Sequence, residues 1–357
     1  MRRVRDSRLT LEQSSFLTHI RTMGVATALP VYLHDAELAR LAGIIVQDVG
    51  LPPGSCGTLP PPVESPGYYE CPLSWFSDTY DEVDFTPVYL NCRNTIPDFD
   101  TFLGALAALH KRRRKYAQIL SKQPLPKMVQ VAPRALLEFG IMASPALASW
   151  MTWRKWFYDI DNRSAQETGY LFEPILASSL GGMSYGARNS PIRRRTDRSK
   201  GRQVDCVVGQ TAYEFKLRVT IAASGQGRFG EELDFAEDCH ASGYRPVLLV
   251  LDPTPSHRLD DLTREFERVG GEAYVGDEAW LYLEQQAGPT MATFVEKYVR
   301  RPIKEIDIFT QTLLNLSIEQ SSLDGTFFIN LYNNENCYRN YLYRHEDKSL
   351  STEEDVE

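Results

Sequence analysis

The sequence predicts an α/β (α+β) protein. A central mixed sheet is flanked by helices, preceded by a mostly helical N-terminal region and followed by a C-terminal extension. Three observations lead there. Apolar residues recur at helical spacing through Leu9–Met23, Asp35–Gly50 and Asp100–Leu120. Between residues 164 and 275 the order is helix, two strands, helix, continuously apolar strand, helix, short strand. The balance of 43% apolar and 24% charged residues is that of a folded globular chain, which excludes a wholly disordered chain, a collagen and a coiled-coil rod. At 357 residues there is room for about two domains.

Taken in order, Asp35 is placed to cap the second helix and Gly50 to stop it. The Pro- and Gly-rich stretch Leu51–Gly67 reads as a loop, because Pro lacks an amide donor and fixes its own backbone. Aromatic-rich Tyr68–Leu90 contains short strand-like runs. Asp100–Leu120 reads as one long helix with Phe102, Leu103, Leu106, Leu109 and Ile119 on its apolar side. It carries the basic run His110–Lys115, either a phosphate-contacting surface or a solvated helix face. In Trp150–Tyr158 the spacing turns Trp153, Trp156 and Phe157 toward a core, rather than toward stacked bases.

Ser164–Leu180 is a helix ended by Gly181-Gly182, and the basic segment Arg188–Lys200 follows as a loop. Gln203–Val208 and Thr211–Leu217, joined by Gly209-Gln210, make a β-hairpin. Gly230–Ala241 is an acidic helix. Pro246–Leu251 is apolar throughout, as a strand covered on both faces must be. Asp260–Val269 is a helix, Glu272–Val275 a short strand, and Thr293–Arg300 a helix. An Asn/Tyr-rich segment, Phe327–Tyr343, precedes the tail. The expected organisation is an N-terminal region 1–150, a core region 151–290, an extension 291–345, and a disordered acidic tail 346–357.

Formal net charge is −8, which by itself argues against a polyanionic partner. The distribution argues the other way. Glu346–Glu357 holds six acids and one Lys, so −5 of the charge sits in the tail. Arg188–Arg202 holds seven Arg or Lys and one Asp, a local +6. A concentrated field of this kind acts on a nucleic acid more strongly than the global sum does. The six cysteines form no C-x-x-C pair, so reduced thiols are expected rather than a zinc site. No stretch approaches the ~20 apolar residues of a membrane span, and no apolar segment follows the basic Met1–Ser7 as an export signal would require. A cytoplasmic, prokaryotic setting with no membrane is the expectation. The phosphate-loop pattern G-x-x-x-x-G-K-[ST] is absent, so no nucleotide cofactor is expected.

The chemistry concentrates in Val204–Lys216. Alternation puts Glu214 and Lys216 on one face of the second hairpin strand, and Tyr213, Phe215 and Leu217 on the other. A tight hairpin sets Asp205 on the neighbouring strand near Glu214. Two carboxylates held together repel each other unless a cation joins them. A hard divalent ion, Mg²⁺, takes one or two carboxylates and keeps several waters. Beside it, Lys216 would position or help deprotonate a water, which is an apparatus for phosphodiester hydrolysis. The plainer alternative is that these three residues are surface ion pairs, since Glu-x-Lys is common in strands.

Asp205, then Glu214-Phe215-Lys216 across a hairpin, followed by a helix and an apolar strand, resembles the PD-(D/E)xK nuclease superfamily. That resemblance implies an α-β-β-β-α-β core with Mg²⁺ on Asp205 and Glu214, and on the backbone carbonyl of Phe215. Val204 stands where the superfamily usually has Pro or a small residue. Gly169-Tyr170-Leu171-Phe172-Glu173 is similar to the helix that carries a further glutamate in many members, so Glu173 is implied as the fourth catalytic residue, with Glu167 the weaker choice. Gly201–Asp205, Tyr213–Lys216 and Thr220–Arg228 resemble type II restriction endonucleases of the ApaLI-like group. For that group the implied substrate is double-stranded DNA, cut on both strands at the palindrome GTGCAC.

Arg188, Asn189, Arg193, Arg194, Arg195, Arg198 and Lys200 are expected to clamp phosphates, since phosphate contacts dominate protein–DNA interfaces. Gln226 and Arg228, after the catalytic strand, fit adenine and guanine edges. A palindromic site matches a two-fold protein, so a homodimer is expected. Two other readings stand beside this one: a structure-specific or repair nuclease with the same catalytic residues, and a non-catalytic DNA-binding protein.

Overall fold

The computed structural model describes residues 9–23, 29–52, 54–57, 67–77, 83–217, 226–307, 313–320 and 327–342. Most of the Pro-rich loop, the stretch 218–225 and the acidic tail lie outside the described residues. In chain order come α1 (Leu11–Thr22), α2 (Asp35–Asp48), α3 (Leu73–Ser77), α4 (Phe85–Thr95), α5 (Phe99–Lys122), α6 (Met128–Val131) and α7 (Ser144–Ser179). The strands β1 (Met183–Tyr185), β2 (Val204–Val208) and β3 (Thr211–Lys216) follow, then α8 (Gln226–Ala241), β4 (Arg245–Val250), α9 (His257–Arg268) and β5 (Glu272–Val275). The chain continues through α10 (Asp277–Gln286), α11 (Gly288–Val295), a π-helical turn at Glu296–Arg300, and α12 (Arg301–Asp307) to β6 (Asn315–Gln320), β7 (Phe327–Tyr332) and β8 (Cys337–Leu342).

The protein is thus a mixed α+β chain, and it divides into two compact units. One is Met1–Phe16, His34–Ala107 and Gly169–Lys304; the other is Leu17–Leu33, Ala108–Thr168 and Glu305–Glu357. Position 150, where the sequence placed the start of the core region, lies inside α7.

The first unit holds a five-stranded sheet in the order β1-β2-β3-β4-β5. β1, β2 and β3 are antiparallel to their neighbours, while β3, β4 and β5 run parallel. The β2–β3 hairpin turns at Gly209, whose φ of 57° only Gly adopts without strain, followed by Gln210. β4 lies between two parallel partners and is buried from Pro246 to Val250, which is why its sequence is apolar without alternation. The crossover helices α8 and α9 supply Phe235 and Phe266, stacked at 5.9 Å over Leu248 and Val250 in one core. α9 starts where the Ser256 hydroxyl accepts from the Leu259 amide at 3.1 Å, and buries Leu259, Leu262 and Phe266, one stripe of the helix.

Elsewhere in this unit the structure corrects the sequence reading at two points. Tyr68–Leu90 forms no strand among the described residues; it contributes α3 and the start of α4, with Phe76, Phe85 and Tyr89 buried. Aromatic residues favour strands only through packing, and a helical setting satisfies that equally. Asp35 is not the cap of its own helix, because His34 holds that place. Its carboxylate instead accepts from the Phe85 amide at 3.0 Å, at the start of α4. Gly50 does end α2, with φ of 74°.

In the second unit the basic run of α5 is not simply a solvated face. His110 and Lys111 are buried. The Lys111 ammonium donates to the carbonyls of Arg21 and Met23 at 2.7 and 2.9 Å. Glu167 gathers Arg112 at 2.5 Å, Arg163 at 3.4 Å and Lys115 at 3.7 Å. α7 begins twenty residues before Ser164, so the Trp cluster rides on it. Trp156 is buried, and Trp153 meets Phe327 of β7 at 5.4 Å. β6, β7 and β8 form an antiparallel sheet that the sequence reading did not anticipate. All six cysteines are free; five are buried, and Cys337, at the start of β8, is exposed.

Candidate active site

The hairpin brings the predicted residues together at the open end of the β2–β3 pair. Register pairs run from Val208↔Thr211 to Cys206↔Tyr213 and stop there. The next inward amide, that of Phe215, donates to the Asp205 carboxylate at 2.8 Å instead of to a ladder carbonyl. Asp205 therefore closes the sheet and is itself buried, with 8% of its surface exposed. Glu214 and Lys216, two residues apart on β3, share a face as alternation requires, and their side chains meet at 2.7 Å. Glu173 comes from the last turns of α7. Gly169, one turn earlier, leaves it room: a Cβ there would lie 3.3 Å from the Glu173 Oε1.

The electrostatics of this cluster are unresolved by its own charges. Burial pushes the Asp205 carboxyl well above the usual carboxylate range, and the negative charges of Glu214 and Glu173 push it further. The Phe215 amide and Lys216 oppose this without cancelling it. Burial and then Glu214 raise Glu173 to about 7. Burial works against the Lys216 ammonium, but Glu214 and Glu232 more than compensate and hold it above its ordinary range. Carboxylates raised by burial and mutual repulsion, beside a fixed cation, are a signature of functional sites.

Sequence reasoning missed one member. Glu232, on α8, lies 3.3 Å from the Lys216 ammonium. Its other carboxylate oxygen, Oε2, is buried without a hydrogen-bond partner among the described residues. The only linear signal was the acidic run within α8, from Glu231 onward, and that does not reveal which acid turns toward β3.

Carboxylate oxygens suit a hard divalent ion. Among the described residues, no group of three or more His, Cys, Asp or Glu is gathered closely enough to enclose a metal. The fit therefore rests on the buried Asp205 and on Glu214, whose negative charge acts on it, a repulsion that a divalent ion would relieve.

The expected phosphate clamps divide in two. Arg188, Asn189, Arg193, Arg198 and Lys200 are exposed. Arg194 and Arg195 pair with α8, Arg194 with Glu231 at 2.8 Å and Arg195, itself exposed, with Glu237 at 2.5 Å. Lys200 pairs with Asp197 at 3.1 Å. The loop that bears them is stapled from beneath. Asp238, buried, accepts from the Arg195 amide at 2.6 Å and from the buried Arg202 guanidinium, which also donates to the Glu231 carbonyl at 2.9 Å. Gly201 closes the loop against Ala187; a Cβ there would sit 2.0 Å from the Ala187 carbonyl oxygen, which no other residue permits. The backbone of Gln226 and Arg228 opens α8, but their side chains lie outside the described residues.

No helix among the described residues is long and apolar enough to cross a membrane. No solved structure matches the chain. A type II restriction enzyme, ApaLI of Acetobacter pasteurianus, is 46% identical over 372 aligned positions that cover 98% of each chain. The family model of ApaLI-like restriction endonucleases matches residues 77–300, which include Glu173, the β2–β3 hairpin, α8 and the stapled loop. The chain belongs to the ApaLI-like restriction endonuclease family.

Proposed function

We propose that the protein is a Mg²⁺-dependent type II restriction endonuclease that hydrolyses phosphodiester bonds of double-stranded DNA at a short palindrome, GTGCAC by family resemblance. The observation that carries this reading is the open hairpin end, where the Phe215 amide donates to Asp205 at 2.8 Å, Glu214 pairs with Lys216 at 2.7 Å, and the charge of Glu214 acts on both Asp205 and Glu173. The order α7, β1, β2, β3, α8, β4 supports a PD-(D/E)xK core. Asp205, Glu214 and the Phe215 carbonyl would hold Mg²⁺, which supplies charge neutralisation at the scissile phosphate and an acidified water.

The chain's own groups do the rest. The Phe215 amide fixes the Asp205 carboxylate in place. Lys216, held as an ammonium, orients the attacking water and faces the negative charge that grows on the phosphate. Glu173 adds a carboxylate whose proton is in play near neutrality. Arg188, Asn189, Arg193 and Arg198, on the stapled loop, contact the DNA backbone, and a homodimer presents two such sites to the two strands. The N-terminal 150 residues contribute recognition or dimer contacts.

Digestion of unmethylated phage DNA with and without Mg²⁺, beside Lys216→Ala, tests the reading. The expected result is discrete fragments that require Mg²⁺, with the variant slower by on the order of 10²–10⁴-fold. Metal-independent DNA binding with no cutting on any substrate would replace it with a non-catalytic role.

A further inference from the structure

We propose that Glu232 is a positioning residue that keeps Lys216 in place when Glu214 is drawn to the divalent cation. This inference rests on the nuclease reading above and deepens it. Lys216 stands between two carboxylates on different elements: Glu214 on its own strand at 2.7 Å, and Glu232 on α8 at 3.3 Å. The two acids are equally sheltered, with 17% and 19% of their side-chain surfaces exposed, so neither is a loose surface partner.

A carboxylate oxygen that ligates a metal is a weaker partner for a lysine ammonium, because the cation draws on the same electron density and repels the ammonium. When Glu214 turns to a cation, a lysine held by Glu214 alone would be released or repelled. Glu232 removes that conflict, because its anchor is a separate helix. The buried Oε2 of Glu232, which has no partner among the described residues, leaves this carboxylate an acceptor to spare. A second donor from Lys216, or a water beside it, would complete that oxygen. The neighbouring acids of α8 serve another purpose: Glu231 pairs with Arg194, and Asp238 with Arg202. Glu232 is the acid of α8 that pairs with the catalytic strand.

Two measurements test this on the full chain. The first needs no activity. Brief acetylation by acetic anhydride, read at Lys216 by mass spectrometry against the exposed Lys200, reports how firmly the ammonium is held. Glu214→Gln mimics a Glu214 occupied elsewhere. Lys216 is expected to stay protected in Glu214→Gln and to become several-fold more reactive in Glu214→Gln/Glu232→Gln. Equal reactivity in the two variants overturns the proposal.

The second compares single-turnover cleavage with DNA affinity measured in Ca²⁺. Glu232→Gln is expected to lose on the order of 10²-fold in rate, the effect of a displaced catalytic group. Affinity and melting temperature should stay unchanged, and Glu232→Asp should recover part of the rate. An unchanged rate, or a loss matched by equal losses in affinity and melting temperature, overturns it. Failure of the wild-type chain to cut any DNA would sink the nuclease reading, while the acetylation result still decides whether Glu232 holds Lys216.

Discussion

α8 serves two charged regions that differ in one respect. Toward the loop 190–202 its acids meet their match: Glu231, Glu237 and Asp238 face Arg194, Arg195 and Arg202. Around Lys216 the count does not close, since Glu214 and Glu232 share one ammonium and the charges of Asp205 and Glu173 bear on the same site. The first region is a clasp whose charges stabilise the fold. The second holds negative charge in excess, at a cost to the folded state, as the proposed cation site requires. Charge balance, rather than charge density, separates structure from function here. The +6 segment that looked in the sequence like a DNA clamp is in part the clasp.

The contrast predicts opposite responses to neutralisation. The largest effect belongs to the clasp. Asp238→Ala leaves the buried Arg202 guanidinium without its partner and should destabilise the protein by roughly 3–5 kcal/mol, measured by urea unfolding. A change within error would mean the clasp is ornamental.

Within the site the sign reverses. Asp205→Asn keeps an acceptor for the Phe215 amide but removes a buried charge. It should abolish cutting while raising stability in EDTA at pH 8 by on the order of 1 kcal/mol. A loss of stability would show that Asp205 is already compensated.

pH sharpens the same point. Glu173 has an ordinary value of 4.5 when unfolded and about 7 when folded, so folding takes up a proton between those values. Its contribution is fully present below the unfolded value and is lost as pH rises through about 7. The metal-free melting temperature should therefore fall from pH 6 to pH 8, Glu173→Gln should flatten the fall, and millimolar Mg²⁺ should restore the loss at pH 8. A flat wild-type profile would contradict the crowding described above. The smallest effect is at the clasp's rim. Arg194 and Glu231 are partly solvated, so Arg194→Ala should change stability by less than about 1 kcal/mol.

The β2–β3 hairpin was legible because every cue was local: alternation, a Gly at the turn, and acids at fixed offsets. The long α5, the apolar β4 and the short β5 were legible for the same reason, each being a periodic or uniformly apolar run. What stayed hidden depended on distant partners. Glu167 was the weaker candidate for the fourth catalytic residue, and its partners Arg112, Lys115 and Arg163 come together only in the fold. Glu232 differs from Glu231 only in which way α8 turns it. β6 (Asn-Leu-Ser-Ile-Glu-Gln) alternates over only six residues and β7 (Phe-Phe-Ile-Asn-Leu-Tyr) is apolar without alternation, runs too short to separate strand from helix without their cross-strand partners. In the aromatic stretch before α4, side-chain size was visible but backbone conformation was not.

The thiol inventory has a practical consequence. Five cysteines are sealed inside, and Cys337 alone is open to solvent. The native chain therefore comes with a single attachment point, far in sequence from the hairpin, for a maleimide dye or a spin label. One fluorophore per chain would let photobleaching steps count the copies assembled on a DNA duplex, with no substitution made anywhere in the protein.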